Sequence, residues 1–209
     1  DLVEYLLRVA GANVNLGRVE NDGASPLHVA SREGHTRVVE TLLRNGANVN
    51  ATLSNSGKTP LYYACHRGHM DVIHALLRKR ANVNYRHFGK DHYPPLTAAS
   101  EQGHTEVVRT LLKDGANVDD VVNDLGESSL YMASREGHVD IVEILLKNGA
   151  DVHLYCGSEH YGDTPLCQAS LKGHTEVVRK LLEHGADVDD VCTTSGGSPL
   201  NNASEQGHV

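Results

Sequence analysis

The sequence predicts an all-α repeat solenoid. Three short phrases recur in the same order along its 209 residues. The first is a Ser/Thr-Pro-Leu phrase ending in Ala, and successive copies lie 34 to 36 residues apart, beginning at Ser25, Thr59, Pro94, Ser128, Thr164 and Ser198. A Gly-His pair follows every copy, and a Leu-Leu phrase follows most of them. A period of this length indicates stacked supersecondary units.

Each phrase predicts one element of the unit. A hydroxyl residue followed by Pro predicts a helix start, because the hydroxyl caps free amides and Pro needs no donor in the first turn. The Gly-His pair ends this short helix, and a second helix follows with apolar residues at helical spacing, as in Val107, Val108 and Leu111. Glycines then stand where a left-handed helix stop is expected: Gly46, Gly115, Gly149 and Gly185. Helices this short are marginal alone, so the units must stack to bury their apolar sides.

Together these phrases resemble the ankyrin-repeat consensus over essentially the entire chain. The resemblance implies antiparallel helix pairs joined by β-hairpin fingers, in an elongated and curved array with a concave groove. It divides one solenoid domain into a second helix and finger at 1–19, five repeats at 20–53, 54–88, 89–122, 123–158 and 159–192, and the start of a further repeat at 193–209. Because the register begins and ends within a repeat, we expect the array to continue in both directions.

Composition and motifs argue against several functions. The formal charge of −8 and the lack of a basic stripe disfavour nucleic-acid binding. No apolar run approaches the length of a membrane span. Six of the fourteen histidines belong to the repeated Gly-His pair, and no phosphate loop, nucleophile elbow or metalloprotease helix is present. We therefore expect no enzyme activity, no metal and no cofactor.

The cysteines predict the compartment. Four cysteines without a CxxC pair favour a reducing location in the cytoplasm or nucleus. Cys65 and Cys167 fall in first helices, where we expect inert packing groups. Cys156 and Cys192 fall in fingers, where we expect more exposure and easier oxidation. As an isolated segment the chain is expected to be monomeric.

The fingers hold the first group of candidate partner-binding residues. The ankyrin period is 33 residues, and nearly all the extra residues of this chain lie in the fingers, which vary while the helices stay constant. Two long fingers are rich in aromatic and basic residues that we expect to be exposed, and such residues often form interface hot spots. From these fingers we select Tyr85, Arg86, Phe88, Lys90, Tyr93, Tyr155, His160 and Tyr161. The alternative is that the rings only pack finger against finger.

The groove side of the first helices supplies the second group. The family pattern places there residues of alternating charge, namely Arg32, Glu33, His66, Arg67, Arg135 and Glu136. These would suit a protein or peptide of mixed charge, and the alternative is a merely solvated face.

One repeat departs from the pattern. Arg80 replaces the helix-ending Gly, His92 replaces the Gly before the phrase, and Pro94 replaces the capping hydroxyl. Local violations of this kind mark function or neutral drift.

Some ankyrin arrays are hydroxylated on the Asn after Val, and Asn50 and Asn84 stand at that place.

The sequence as a whole predicts a non-catalytic protein-interaction scaffold that binds through its concave face and fingers. Two alternatives stay open at this point. One is a structural spacer or spring, and the other is a segment that recruits the substrate of a larger enzyme or anchors a larger enzyme or channel.

Overall fold

The computed structural model describes residues 2–17, 22–85, 94–122, 126–158, 161–193 and 196–208. The chain forms two compact units, Asp1–Pro95 and Leu96–Val209. The helices of the first unit are α1 (Leu2–Arg8), α2 (Pro26–Arg32), α3 (Thr36–Arg44), α4 (Pro60–Arg67) and α5 (Met70–Arg78). The helices of the second unit are α6, which begins at the boundary (Pro95–Glu101), α7 (Thr105–Lys113), α8 (Ser129–Glu136), α9 (Val139–Lys147), α10 (Pro165–Lys172), α11 (Thr175–Glu183) and α12 (Pro199–Glu205).

The first helix of each pair begins as predicted. The Thr59 hydroxyl accepts from the Tyr62 amide at 3.1 Å, and the Ser128 hydroxyl accepts from the Tyr131 amide at 3.1 Å. Ser128 therefore caps α8 even though Ser129 replaces the usual Pro. These bonds satisfy amides that have no partner inside the helix.

The predicted helix stops are also confirmed. Gly68, Gly137 and Gly173 end α4, α8 and α10 with φ between 72° and 79°. After the second helices, Gly46, Gly115, Gly149 and Gly185 have φ between 83° and 90°. The same place after α5 holds Arg80 at φ 61°, so this arginine occupies a left-handed conformation that favours glycine.

Equivalent leucines build the core of each unit. In the first unit α2 packs on α4 and α3 packs on α5, and Leu27, Leu42, Leu61 and Leu76 are at most 2% exposed. In the second unit α8 packs on α10, α10 on α12 and α9 on α11, around buried Leu130, Leu145, Leu166 and Leu181. Stacking thus buries the apolar sides that single helix pairs leave exposed.

The Gly-His pair does more than mark a turn. The Nε2 atom of His69 donates to the Arg32 carbonyl at 3.0 Å, one repeat earlier. His138, His174 and His208 make the same bond, at 3.1 to 3.2 Å, to the carbonyls of Glu101, Arg135 and Leu171. Each ring lies against the glycine of the preceding pair, where a Cβ on Gly34, Gly103, Gly137 or Gly173 would come within 2.7 to 2.8 Å of it. Glycine leaves room for the ring, and histidine then links neighbouring repeats within a unit.

Side chains also link the bases of neighbouring fingers. The Oδ1 atom of Asn15 accepts from the Asn48 amide at 2.8 Å, and that of Asn50 accepts from the Asn82 amide at 2.9 Å. In the second unit Asp119 accepts from the Asp151 amide at 2.9 Å. The residue after Val therefore has a structural role at Asn50, whether or not it is hydroxylated.

The described parts of the fingers contain the expected antiparallel hairpins. Strands β1 (Val121–Val122) and β2 (Glu127–Ser128) pair with Val121 opposite Ser128. Strands β3 (Cys156–Ser158) and β4 (Tyr161–Asp163) pair with Cys156 opposite Asp163. A single bridge joins Cys192 to Gly197.

Two expectations about the cysteines are wrong. Cys167 and Cys192 form a disulfide, and both are fully buried. The bridge between Cys192 and Gly197 closes the base of this finger, and the Cα atoms of Cys167 and Cys192 lie 5.5 Å apart. Cys192 is therefore not an exposed thiol, and Cys167 is not an unpaired packing group. Cys65 is buried and free, as expected.

Candidate partner-binding surface

The first unit contains a cavity where two fingers meet the first helices. Its volume is about 300 Å³. The lining residues come from α2, α4 and the segments before them, and they are Asp22, Ala24, His28, Val29, Arg32, Leu53, Ser56 and Tyr63. An apolar floor with a few polar groups around it is the usual composition of a binding pocket.

Buried polar contacts fix the walls of this cavity. The His28 ring bonds to the Ser25 hydroxyl through Nδ1 at 2.8 Å and donates to the Lys58 carbonyl through Nε2 at 3.2 Å. Burial lowers the pKa of His28, so the ring is neutral near pH 7. His28 therefore has the structural role expected of it within the turn, and it also joins α2 to the following finger.

Asp22 holds the finger side of the cavity. It has φ 55°, an uncommon conformation for a residue other than glycine. Its carboxylate accepts from the Asn55 amide at 2.9 Å and its carbonyl accepts from the Ser54 amide at 3.1 Å. These bonds fix two neighbouring fingers of the first unit to each other beside the opening.

Arg32 and Tyr63 supply hydrogen-bond donors to the cavity. The Nε atom of Arg32 donates to Glu33 at 2.8 Å, and its two terminal amino groups have no partner among the described residues. Tyr63 is half-buried; burial raises the pKa of its hydroxyl, and the charge of Asp22 adds to this against the opposite effect of Arg32. The cavity thus offers two N–H donor groups and one O–H group to a bound molecule.

The other predicted groove residues of the first unit differ in exposure. His66 is half-buried and lies beside the Tyr62 ring, with 5.9 Å between the ring centroids. Arg67 is exposed. Glu33 is exposed and is paired with Arg32. Arg67 is therefore more exposed to solvent than His66, the other groove residue of this repeat.

Arg135 in the second unit is already engaged. Its guanidinium lies 2.8 Å from Glu136, 3.3 Å from Glu101 and 3.6 Å from Glu127, and its side chain is only 26% exposed. Burial alone would lower the pKa of Arg135, but the hydrogen bond and charge of Glu136 and the charges of the other two carboxylates raise it. A partner would have to replace these contacts, so this residue connects α6, α8 and β2 more than it offers a free charge.

The finger aromatics are only partly within the described residues. Tyr155 is 49% exposed, and its ring lies against Gly162, where a Cβ would meet it at 2.7 Å. Tyr85 is half-buried. The predicted residues Arg86, Phe88, Lys90, Tyr93 and His160, and the side chain of Tyr161, lie outside the described residues. Tyr155 thus combines the two roles considered, since one side packs on its own finger and the other faces solvent.

The surroundings of Cys156 were not visible in the sequence. This thiol is half-buried, and the hydroxyl of the buried Tyr131 acts on its pKa in the opposite direction to burial. Burial and the charge of Glu127 raise the pKa of Cys156 to about 11. Since the thiolate is the reactive form, Cys156 is a poor candidate for oxidation at neutral pH, contrary to the expectation from its finger position.

None of the described helices combines the length and the apolar character needed to cross a bilayer. Among the described residues no three His, Cys, Asp or Glu side chains come together as a metal site.

Family models match most of the chain. A model described as ankyrin repeats (3 copies) matches residues 1–87 and 87–156, and a model described as ankyrin repeat matches residues 161–193. Among curated proteins, the protein fem-1 homolog CG6966 of Drosophila melanogaster is 48% identical over 58 residues. That match covers 25% of this chain and only 9% of the relative.

A solved structure resembles the fold over nearly its whole length. The crystal structure of the human ASB11 ankyrin repeat domain has a TM-score of 0.80 and 33% sequence identity. The match covers 94% of this chain and 84% of that chain. The predicted all-α repeat solenoid is confirmed by this match together with the helix pairs described above.

Proposed function

Because the chain belongs to the ankyrin-repeat family, we propose that it is a non-catalytic scaffold that binds a partner protein through its first helices and fingers. Ankyrin repeats are generally protein-interaction modules. The observation that carries the finer proposal is the cavity of about 300 Å³ in the first unit, at the place where α2 and α4 meet two fingers.

The size and lining of the cavity favour one side chain of a protein partner. A volume near 300 Å³ lies at the lower end of ligand pockets and suits a single large side chain. Leu53 and Val29 provide apolar contact, while Arg32 and Tyr63 provide donors for an acceptor group. A partner segment with an aliphatic or aromatic stem and an oxygen at its tip would satisfy both.

The exposed face of Tyr155 provides a second contact in the other unit. A half-exposed tyrosine loses little rotamer freedom when it binds, because its ring is already held on one side by Gly162. Tyrosine is also enriched among interface hot spots. We therefore propose Tyr155 as a separate contact site of the second unit, independent of the cavity.

A blocking substitution tests the cavity without removing any of its contacts. Peptides from a random displayed library are selected on the whole chain, and the strongest binder is measured by fluorescence anisotropy. Ser56→Phe should fill the cavity and weaken binding at least tenfold. The matched control is Asn55→Phe, because Asn55 is exposed and does not line the cavity. Equal affinity of both variants would remove the cavity from the proposal.

The two alternatives make different predictions. A spacer or spring would give no selected peptide with saturable binding. A recruiting or anchoring segment would bind as proposed and would be part of a longer protein, as is the 58-residue match in the Drosophila relative. The reducing intracellular location stays a prediction, and the redox state of Cys167 and Cys192 in natural material tests it.

A further inference from the structure

The charge of the chain is unevenly divided between the two units. Residues 1–95 contain 12 Lys and Arg against 8 Asp and Glu, a formal charge of +4. Residues 96–209 contain 7 Lys and Arg against 19 Asp and Glu, a formal charge of −12. The chain-wide value of −8 therefore hides a basic first unit. The net charge of the first unit therefore favours an acidic partner, whereas that of the second unit opposes one.

Four of the twelve cations of the first unit lie at the C-terminal ends of α3 and α5. We call this the basic edge, formed by Arg44, Arg78, Lys79 and Arg80, all of which are exposed. Arg78 pairs with Glu40 at 3.2 Å. Arg44 instead donates to the Glu40 carbonyl and to the Thr41 hydroxyl. Within the described part of the chain Lys79 and Arg80 have no carboxylate at ion-pair distance, so among the described residues only one of the four cations is paired with a carboxylate.

Helix geometry accounts for only part of this charge. A cation in the last turn stabilises a helix through the macrodipole. In the second unit, however, α7 and α9 end in a single lysine, Lys113 or Lys147, which is followed by an uncharged or acidic residue. One cation at each helix end therefore meets the need of the fold, and the run from Arg78 to Arg80 exceeds it.

Arg80 also has an unfavourable backbone conformation. Its φ of 61° lies in the left-handed region, where the equivalent residues after α3, α7, α9 and α11 are glycines. A strained non-glycine residue that the fold does not require points to a role for its side chain. At this place the side chain adds a charge to the basic edge.

A groove lies within the basic edge. It has a volume of about 210 Å³ and is lined by Glu40, Leu43, Arg44, Ala75, Arg78 and Lys79. Leu43 and Ala75 are 8% and 3% exposed and form an apolar floor between α3 and α5. The charged residues surround this floor, so the groove combines one small apolar site with a positive rim.

We propose that the basic edge docks an acidic protein segment that inserts one aliphatic side chain between α3 and α5. The positive rim attracts carboxylates, and the floor of Leu43 and Ala75 takes a leucine-sized group. A nucleic acid fits less well, because it has no aliphatic group for the floor and Glu40 lies among the cations. This surface involves second helices, so it is separate from the cavity of the proposed function.

The probe is a fluorescein-labelled peptide of eight glutamates around a central leucine, measured by anisotropy on the whole chain. We expect saturable binding that weakens as sodium chloride rises. Replacing the leucine by alanine should weaken binding at least threefold, and replacing the glutamates by lysines should abolish it. Equal binding of the leucine and alanine peptides would overturn the role of the groove.

Charge-matched variants locate the site. Arg44→Gln, Lys79→Gln and Arg80→Gly together should weaken binding at least tenfold. The control removes three lysines from the second unit, with Lys113→Gln, Lys147→Gln and Lys172→Gln, and should change affinity less than twofold. Equal losses in the two triple variants would mean that net charge alone acts, which overturns the site. Tighter binding of a 20-base-pair DNA duplex or of phosphatidylserine vesicles than of the peptide would overturn the acidic protein segment.

Discussion

Replacing Gly137 and Gly149 by alanine should destabilise the second unit by different amounts. Both glycines are left-handed, with φ of 79° and 86°. At Gly149 a Cβ would meet no atom within 4 Å. At Gly137 it would lie 2.7 Å from the His174 ring. The pair therefore separates backbone strain from the loss of the histidine link between repeats.

The expected magnitudes follow from these contacts. A left-handed alanine costs about 1 kcal/mol, which is the whole effect expected for Gly149→Ala. Gly137→Ala has the same cost and also displaces His174, whose bond of 3.1 Å to the Arg135 carbonyl contributes about 1 kcal/mol. With some lost packing, we expect a total of about 2 to 3 kcal/mol for Gly137→Ala.

Urea unfolding followed by circular dichroism gives the free energies of unfolding. Amide hydrogen exchange in α8 and α10 shows whether the loss is local to the affected repeats. In a His174→Ala background Gly137→Ala should cost only about 1 kcal/mol, because no ring remains to be displaced. Equal losses for the two glycines, or a loss at Gly137 that ignores the background, would refute the proposed link.

Further predictions concern single groups. The Cys156 thiol, with a pKa of about 11, should react with iodoacetamide at pH 8 roughly 100-fold more slowly than an ordinary thiol and keep accelerating up to pH 10; a plateau near pH 9 would contradict this. Because burial lowers the pKa of His28 below its ordinary 6.5, its neutral form favours the fold, so stability should be full above pH 6.5 and fall below it. His28→Gln should remove that part of the pH dependence, measured by urea unfolding. Arg80→Gly should raise the free energy of unfolding by about 1 kcal/mol while weakening acidic-peptide binding, and unchanged stability would argue against strain. Replacing Cys167 and Cys192 by serine should cost about 3 kcal/mol, since the bond closes a separation of 25 residues; an unchanged urea midpoint for the double variant would contradict it.

Local signals predicted the helices because the signals and their effects lie within a few residues. Ser128 and Tyr131 are three residues apart, so the cap was visible in sequence. Gly149 stands two residues after the last residue of α9, so its left-handed helix stop was also visible in the sequence. The unfavourable place of Arg80 was predicted for the same reason, since it occupies the position of those glycines.

Contacts between distant residues could not be predicted in this way. His138 bonds to a carbonyl 37 residues away, so its sequence neighbourhood showed only a turn. Cys167 and Cys192 meet because one finger folds back on α10, which depends on the path of that finger. The cavity beside Arg32 likewise depends on how Asp22 and Asn55 join two fingers. The left-handed conformation of Asp22 could not be predicted, because the left-handed positions were recognised by their glycines and this position holds an aspartate.

The histidine links explain why the fingers can vary while the scaffold stays constant. The bonds of His138 and His208 span 37 residues, whereas that of His174 spans 39, because the finger between its repeats is two residues longer. The donor–acceptor distance is nevertheless 3.1 Å, within the range of the others. The link is made by helix ends and so does not depend on finger length. Insertions at the tip of a finger can therefore change the surface presented to a partner without disturbing the stack, which favours recognition by the fingers over recognition by the core.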